Sequence, residues 1–411
     1  MRKKRLGAFV MAAFLCAGAL FTGGCGSTKG ADVASQAAAS KSEAVSEAEM
    51  NPAGAASSMD TTLSQKVGVS LPTEDVNRWK LDGSYLASQF KKAGYQTEVV
   101  YARNSSEQQK TDIDAMVTDG VSLLIISPVD GGALKDVLAK AKAAGIQIIS
   151  YDRLLMNTDA VDYYVSFDNY KVGTLAAQYV VDTLDVGDLA ASDPAVNVEF
   201  ASGSMADNNS GYYFNGAYDT LKPYIDAGKL AVPSGQDTLE ATATEDWSGD
   251  TAKKRFEDLL GQYYVDGTQL DAVICANDSL ALGVTDAIKA TYAGSNQVLI
   301  TGQDGDEQNL ANIIDGRQAM TIYKAEANES LVAYTLGQAL LKGLTPDEDL
   351  VDAGKWDFDC VFDVETYNNG TKTVPSYLLT PVVITKDNYK KELVKTGYYT
   401  LDDNGYPKAV G

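Results

Sequence analysis

This sequence predicts an α/β protein made of two doubly wound, parallel-sheet lobes with a cleft between them. Three observations predict it. Short apolar runs rich in β-branched and aromatic residues alternate with stretches of helical periodicity, which is the pattern of a parallel sheet with helices on both faces. The same helix–glycine–strand joint occurs twice, as F-K-K-A-G-Y-Q-T-E-V-V and A-K-A-A-G-I-Q-I-I-S. The alternation then restarts after Phe167, so one α/β unit follows another and leaves a crevice between them.

The elements follow in order. Lys66–Leu71 reads as the first strand. A helix over Asn77–Lys92 sets Leu81, Tyr85, Leu86 and Phe90 on one face and ends before Gly94. Thr97–Tyr101 is a strand; Ser105 or Ser106 caps the next helix, whose core face is Ile113, Met116 and Val117 and which Gly120 closes. Leu123–Ser127 is a strand, and the helix after it carries Leu134, Val137 and Leu138 up to Gly145. Ile146–Tyr151 and Tyr163–Phe167 are apolar enough to be buried strands. Beyond Phe167 come a helix over about 170–184, a strand Val196–Ala201, the polar loop S-G-S-M-A-D-N-N and a helix. Lys229–Val232, a helix around 251–260, and strands Ala272–Ala276, Val298–Gly302 and Met320–Tyr323 continue the pattern. A helix near 330–341, a loop-rich stretch from Thr345 to Tyr377 and a last strand Pro381–Thr385 complete it.

Ahead of the fold, Arg2, Lys3, Lys4 and Arg5 precede an apolar run, Leu6–Phe21, that is short for a membrane span. It stops at Thr22-Gly23-Gly24-Cys25. Small residues before a cysteine resemble a bacterial lipoprotein signal, with Thr22 where such signals usually carry Leu. Residues 1–25 are therefore expected to be a signal peptide, with Cys25 lipidated and tied to the membrane. Residues 26–65 are rich in Ala, Ser, Gly and Glu with almost no large apolar residue, too little to offset ordering entropy. They read as a tether, roughly 40 residues with a reach of about 35 Å.

Composition excludes several functions. The formal charge of −22 argues against nucleic acid and against an anionic membrane surface as partners. The chain has no histidine, which removes His-based acid–base catalysis, Ser-His-Asp triads and His-ligated zinc. No cysteine pair has metal-ligand spacing, and no cofactor or metal is expected. Cys275 and Cys360 are left open between two thiols and a disulfide.

Ligands of open α/β sheets bind outside the carboxyl ends of strands. Nearly every candidate strand here ends in a group suited to hydroxyls: Asp152, Arg153, Asp207, Asn209, Asn277, Asp304 and Lys324. For Asp152 beside Arg153, a structural ion pair and a polyol clamp are equally good readings. Trp79, next to Arg78, and Trp247 sit in polar contexts, N-R-W-K and E-D-W-S, and can supply flat apolar faces.

From Lys66 to about Lys386 the chain resembles the type I sugar-binding proteins of bacterial ABC importers, in the xylose-binding and multiple-monosaccharide-binding branch. The motifs that carry the resemblance are R-W at 78–79, S-Y-D-R-L at 150–154, Y-V-S-F-D-N at 164–169, D-N-N at 207–209, N-D at 277–278, G-Q-D at 302–304 and Y-K at 323–324. The resemblance implies that Arg78, Asp152, Arg153, Asp207, Asn209, Asn277, Asp304 and Lys324 bond sugar hydroxyls while Trp79 and Trp247 sandwich the ring. It also implies three crossings between lobes, near Phe167-Asp168, Asp304-Gly305 and Leu379-Thr380. The first lobe is then 66–167 plus 305–378, the second 168–304 plus 379–411, and 347–369 is longer than such proteins require.

The function expected is an extracytoplasmic, lipid-anchored monomer that binds an aldopyranose such as xylose, glucose, galactose or arabinose and delivers it to ABC permease subunits. Presentation of the sugar to a receptor kinase or chemoreceptor uses the same cleft and is the alternative. An enzyme would need a carboxylate pair from Asp152, Asp207 and Asp304; Arg153 and Lys324 beside them favour ionised carboxylates, poor general acids. A repressor would need a DNA-binding helix-turn-helix where the signal segment stands.

Overall fold

The computed structural model describes residues 65–410. The expected signal, Cys25 and all of the expected tether except Gln65 lie outside them. Among the described residues no helix is long and apolar enough to cross a membrane.

The chain opens as β1 (Lys66–Leu71), α1 (Asn77–Lys92), β2 (Gln96–Tyr101), α2 (Ser106–Thr118), β3 (Leu123–Ile126), α3 (Lys135–Ala143), β4 (Gln147–Tyr151) and β5 (Tyr163–Phe167). It continues as α4 (Asn169–Thr183), β6 (Val196–Ala201), α5 (Asn208–Asp226), β7 (Leu230–Ala231), α6 (Leu239–Thr242), α7 (Gly249–Tyr263), β8 (Ala272–Cys275), α8 (Asp278–Thr291) and β9 (Leu299–Ile300). Then come α9 (Glu307–Asp315), β10 (Met320–Tyr323), α10 (Glu326–Leu341), α11 (Asp349–Gly354), β11 (Cys360–Asp363), β12 (Ser376–Leu379) and β13 (Val382–Thr385). A small hairpin, β14 (Tyr399–Leu401) and β15 (Pro407–Ala409), follows.

Two sheets result. The first has seven strands in the order β11-β12-β5-β4-β3-β1-β2, all parallel except the β11–β12 edge. Because successive strand residues point to opposite faces, Leu123 and Ile125 of β3 enter one core while Leu124 and Ile126 enter the other. On one face α1 and α10 cover the sheet through Leu86, Phe90, Val332 and Leu336, and on the other α2 and α3 cover it through Ile113, Met116, Val137 and Leu138. The twice-repeated joint works as its sequence suggests: Gly94 and Gly145 take φ of +92° and +76° after α1 and α3, a conformation glycine adopts without strain. The second sheet runs β7-β6-β8-β9, all parallel, around a core built on Val198, Phe200, Val273 and Phe256.

Two expectations need correction. The chain does not leave the second half at Asp304-Gly305. A parallel bridge pairs Gln303 with Ile322, Ala319 N bonds Ile300 O at 2.9 Å, and Met320 and Ile322 are buried in the second core. Residues 319–322 thus bond alongside β9 and the residues after it, and β10 pairs antiparallel with β13. The middle crossing falls at about 323–326, where α10 returns to the first sheet. Second, the stretch expected to be loop-rich holds α11, β11 and the first half of β12. β12 is buried and parallel to β5, but at four residues between Pro375 and Pro381 it is too short to declare itself. The segment before it is anchored: Tyr367 Oη donates to Phe167 O (3.3 Å) and accepts from Asn169 N (3.1 Å), and Asn369 Nδ2 donates to Thr158 O at 2.7 Å. Cys275 and Cys360 are both free and buried, in the cores of different halves.

Candidate functional site

The site starts at the carboxyl ends of the strands. β4 ends at Tyr151, and Asp152 turns out of the sheet at φ +59° with its N–H still bonded to Val165 O at 2.8 Å. Asp152 is thereby aimed at the first turn of α1, which presents Arg78 and Trp79. The Arg78 guanidinium lies 4.3 Å from the centre of the Trp79 ring, and that of Arg153 lies 5.4 Å from it, within cation–π range. Trp79 is 3% exposed and belongs to the first core while also lining the site.

Arg78 is the hub of a buried charge cluster. Its Nη2 is 3.0 Å from Asp152, 3.2 Å from Glu329 and 3.5 Å from Asp82, and its Nε is 3.7 Å from Glu326. Lys324 Nζ, at the end of β10, adds charge 3.8 Å from Asp152 and 3.6 Å from Asp304. Two cations facing this many carboxylates in a dry place cannot keep all of them ionised. Burial would raise Asp152, but Arg78, Lys324 and Arg153 hold its carboxyl below the usual range. Asp82, Glu326 and Glu329 go the opposite way. Burial pushes Glu326 up to about 8 and Asp82 to about 6, with Arg78 offsetting only part.

The second half supplies mostly uncharged, directional groups from helix starts. Asp207 caps α5, accepting from Asn209 N at 3.0 Å, and Asn277 caps α8, accepting from Leu280 N at 2.9 Å. Asn209 Nδ2 reaches across to Asp152 O at 2.8 Å, and Tyr164 Oη donates to the same carbonyl at 2.7 Å. Arg153 Nε lies 2.9 Å from Asp207 Oδ2, a second direct bond between the halves. Burial nevertheless raises Asp207, with Arg153 offsetting part of the shift. Basic neighbours thus hold the pKa of Asp152 down, whereas that of Asp207 is shifted the other way. Beyond β9, Asp278 is fully buried and accepts from Gly305 N, Asp306 N, Gln318 Nε2 and Thr321 Oγ1 at 2.9–3.1 Å, which fixes the loop carrying Asp304.

These groups surround one cavity of about 150 Å³, a volume on the order of what admits a single six-membered ring. All ten residues singled out from sequence line it: Arg78, Trp79, Asp152, Arg153, Asp207, Asn209, Trp247, Asn277, Asp304 and Lys324. Asn104, Gln303, Asp306 and Glu326 also line it and were not singled out. Glu326 belongs to K-A-E-A-N-E, which reads in sequence as an ordinary acidic helix start. Of the ten non-glycine residues at positive φ among the described residues, five line the cavity: Asn104, Asp152, Asp246, Trp247 and Asp304. Each such conformation costs on the order of 1 kcal/mol, and such strain gathers at ligand clamps. Arg78 Nε, Asp152 Oδ2 and Trp247 Nε1 are buried without a well-oriented hydrogen-bond partner among the described residues, although Asp152 Oδ2 has two cations within 4 Å.

Residues 67–345 match the family model described as a periplasmic binding protein domain. The chain belongs to the periplasmic binding protein family. This periplasmic binding protein is 40% identical over 339 residues to the multiple sugar-binding periplasmic receptor ChvE of Rhizobium radiobacter, covering 82% of this chain and 91% of the relative. It is 32% identical over 334 residues to the D-xylose-binding periplasmic protein of Escherichia coli, covering 81% and 91%. Its structure is similar to that of an ABC transporter solute-binding protein from Clostridium phytofermentans with bound β-D-glucose, at a TM-score of 0.75 and 42% identity, over 82% of this chain and 98% of the other. These relatives of the periplasmic binding protein are binding proteins, not enzymes.

Proposed function

We propose that the protein captures one aldopyranose between its two halves, outside the cytoplasm, and delivers it to the membrane subunits of an ABC importer. The observation that supports this most is the ring-sized cavity in which a buried charge cluster on one side faces amides, carboxylates and an indole on the other. Sugar hydroxyls donate and accept, and they need partners of fixed direction. On this reading Arg78, Asp152, Arg153, Asp207, Asn209, Asn277, Asp304 and Lys324 bond hydroxyls, and Trp79 and Trp247 pack on the ring. The two sheets are the two lobes, with crossings at about 167–169, 323–326 and 379–382, and a ligand that touches both favours the closed form. D-glucose and D-xylose are the first candidates, since one similar structure holds β-D-glucose and another relative is a D-xylose-binding protein. Lipidation at Cys25 would keep the loaded protein near its transporter.

The test is isothermal calorimetry of the protein with D-glucose, D-xylose, D-galactose and L-arabinose. Micromolar or tighter binding of at least one is expected. The absence of heat with every pentose and hexose would sink the proposal.

A further inference from the structure

Gly203 lies in the polar loop after β6, where glycine reads as a turn residue. Its backbone tells otherwise: it is not among the positive-φ glycines, so its conformation is open to alanine. Space is what excludes a side chain. A methyl group built on Gly203 falls on Cη2, Cζ2 and Cζ3 of Trp247. The far ring of the indole occupies the volume that any other residue at 203 would need.

The backbone on both sides of this contact is held, so the indole is what must give way. The strip 202–203 is zipped to 242–244: Ser202 N bonds Thr242 O at 3.0 Å, Ser202 Oγ meets Thr242 Oγ1 at 2.7 Å, and Thr244 N bonds Gly203 O at 3.2 Å. Trp247 N bonds Thr244 O at 3.2 Å, which ties the backbone that carries the indole to the same strip. Asp246 and Trp247 hold successive left-handed conformations, φ +53° and +56°, which persist only where the surroundings over-determine them. Trp247 also packs against the second core while lining the cavity.

We propose that Gly203 is a positioning residue for ligand binding: its missing side chain sets where the Trp247 indole stands and so the width of the cavity. This rests on the reading of the cavity as a monosaccharide site. Gly203 touches no ligand on this account. It acts through the indole, and any side chain at 203 displaces that wall of the site.

The experiment is calorimetry with D-glucose and D-xylose on wild type, Gly203→Ala, Trp247→Phe and the double variant, with melting of each sugar-free protein. Gly203→Ala is expected to fold and to bind about tenfold more weakly or worse, the loss of roughly one aromatic contact. The phenyl ring of Trp247→Phe lacks the three atoms that collide, so adding Gly203→Ala to it is expected to leave affinity unchanged. Equal and independent losses in the two backgrounds would overturn the proposal, as would undiminished affinity of Gly203→Ala beside a wild type that binds. A Gly203→Ala chain that does not fold would overturn it too, by making the residue structural. A wild type that binds no aldopyranose would instead remove the functional reading on which it stands.

Discussion

The two sides of the cavity solve the same problem with different chemistry. The first side is a dense node of charge, one guanidinium and one ammonium against Asp82, Asp152, Glu326 and Glu329, all buried or nearly so. The second is built from the amides Asn209 and Asn277 at helix starts, the carboxylates Asp207 and Asp304, and the Trp247 indole, with direction as its main resource. Removing one member of a buried charge node strands its partners, whereas removing one amide costs about one hydrogen bond. The first side should therefore fail as a unit and the second piecemeal.

The largest effect is expected for Arg78→Ala. It leaves four buried carboxyls without their shared cation, and should cost about 3–5 kcal/mol of stability and abolish sugar binding, read by melting and calorimetry together. Retention of near-wild-type affinity would mean the node is not a unit. Asn209→Ala should be milder. It loses the bond to Asp152 O, weakening binding by about 1–3 kcal/mol, or roughly ten- to hundredfold, while the sugar-free melting temperature changes little. A smaller effect is expected from pH. Glu326 and Asp82 are raised by burial from ordinary values of 4.5 and 3.8 to about 8 and about 6. A carboxyl whose folded pKa is raised stabilises the fold while protonated, and that contribution is lost as pH rises through the folded value. The sugar-free melting temperature should fall between pH 5 and pH 9, and Glu326→Gln should flatten the upper part of that fall. A curve that rises over this window would contradict the node as described. The smallest effect is none. Cys275 and Cys360 are free and buried in separate cores, so a reductant should leave melting unchanged.

The same contrast governs what the sequence made legible. The directional side was readable because strand-terminal and cap residues follow apolar runs at fixed places; Asp207, Asn209 and Asn277 stand where the strands β6 and β8 give way to helices. The charge node was half hidden. Asp82 sits in mid-helix beside Lys80 and Gly83 and reads as solvent-facing, yet it is 1% exposed. Glu329 has the sequence of a helix start and the burial of a core residue, 0% exposed. Periodicity reports which face is apolar and cannot report that a polar face has been buried against another. The middle crossing was misplaced for a related reason. Gly302-Gln303-Asp304-Gly305 carries every sign of a strand end, but M-T-I-Y is too short to say which sheet it joins, and backbone bonds to Ile300 and Gly302 decide that. Gly203 was invisible as anything but a turn, since the indole that needs its space lies 44 positions away in the chain.

The Arg153–Asp207 contact has a kinetic consequence. It spans the two halves at 2.9 Å without passing through a ligand, as does Asn209 to Asp152. On the proposed function, release of a bound sugar requires rupturing both, whereas entry requires only that they have not yet formed. Contacts of this kind lengthen residence far more than they slow capture. Asp207→Asn should thus speed sugar escape in stopped-flow traces while leaving uptake nearly as fast. On the proposed function, such a protein would take up sugar readily and hold it long once closed.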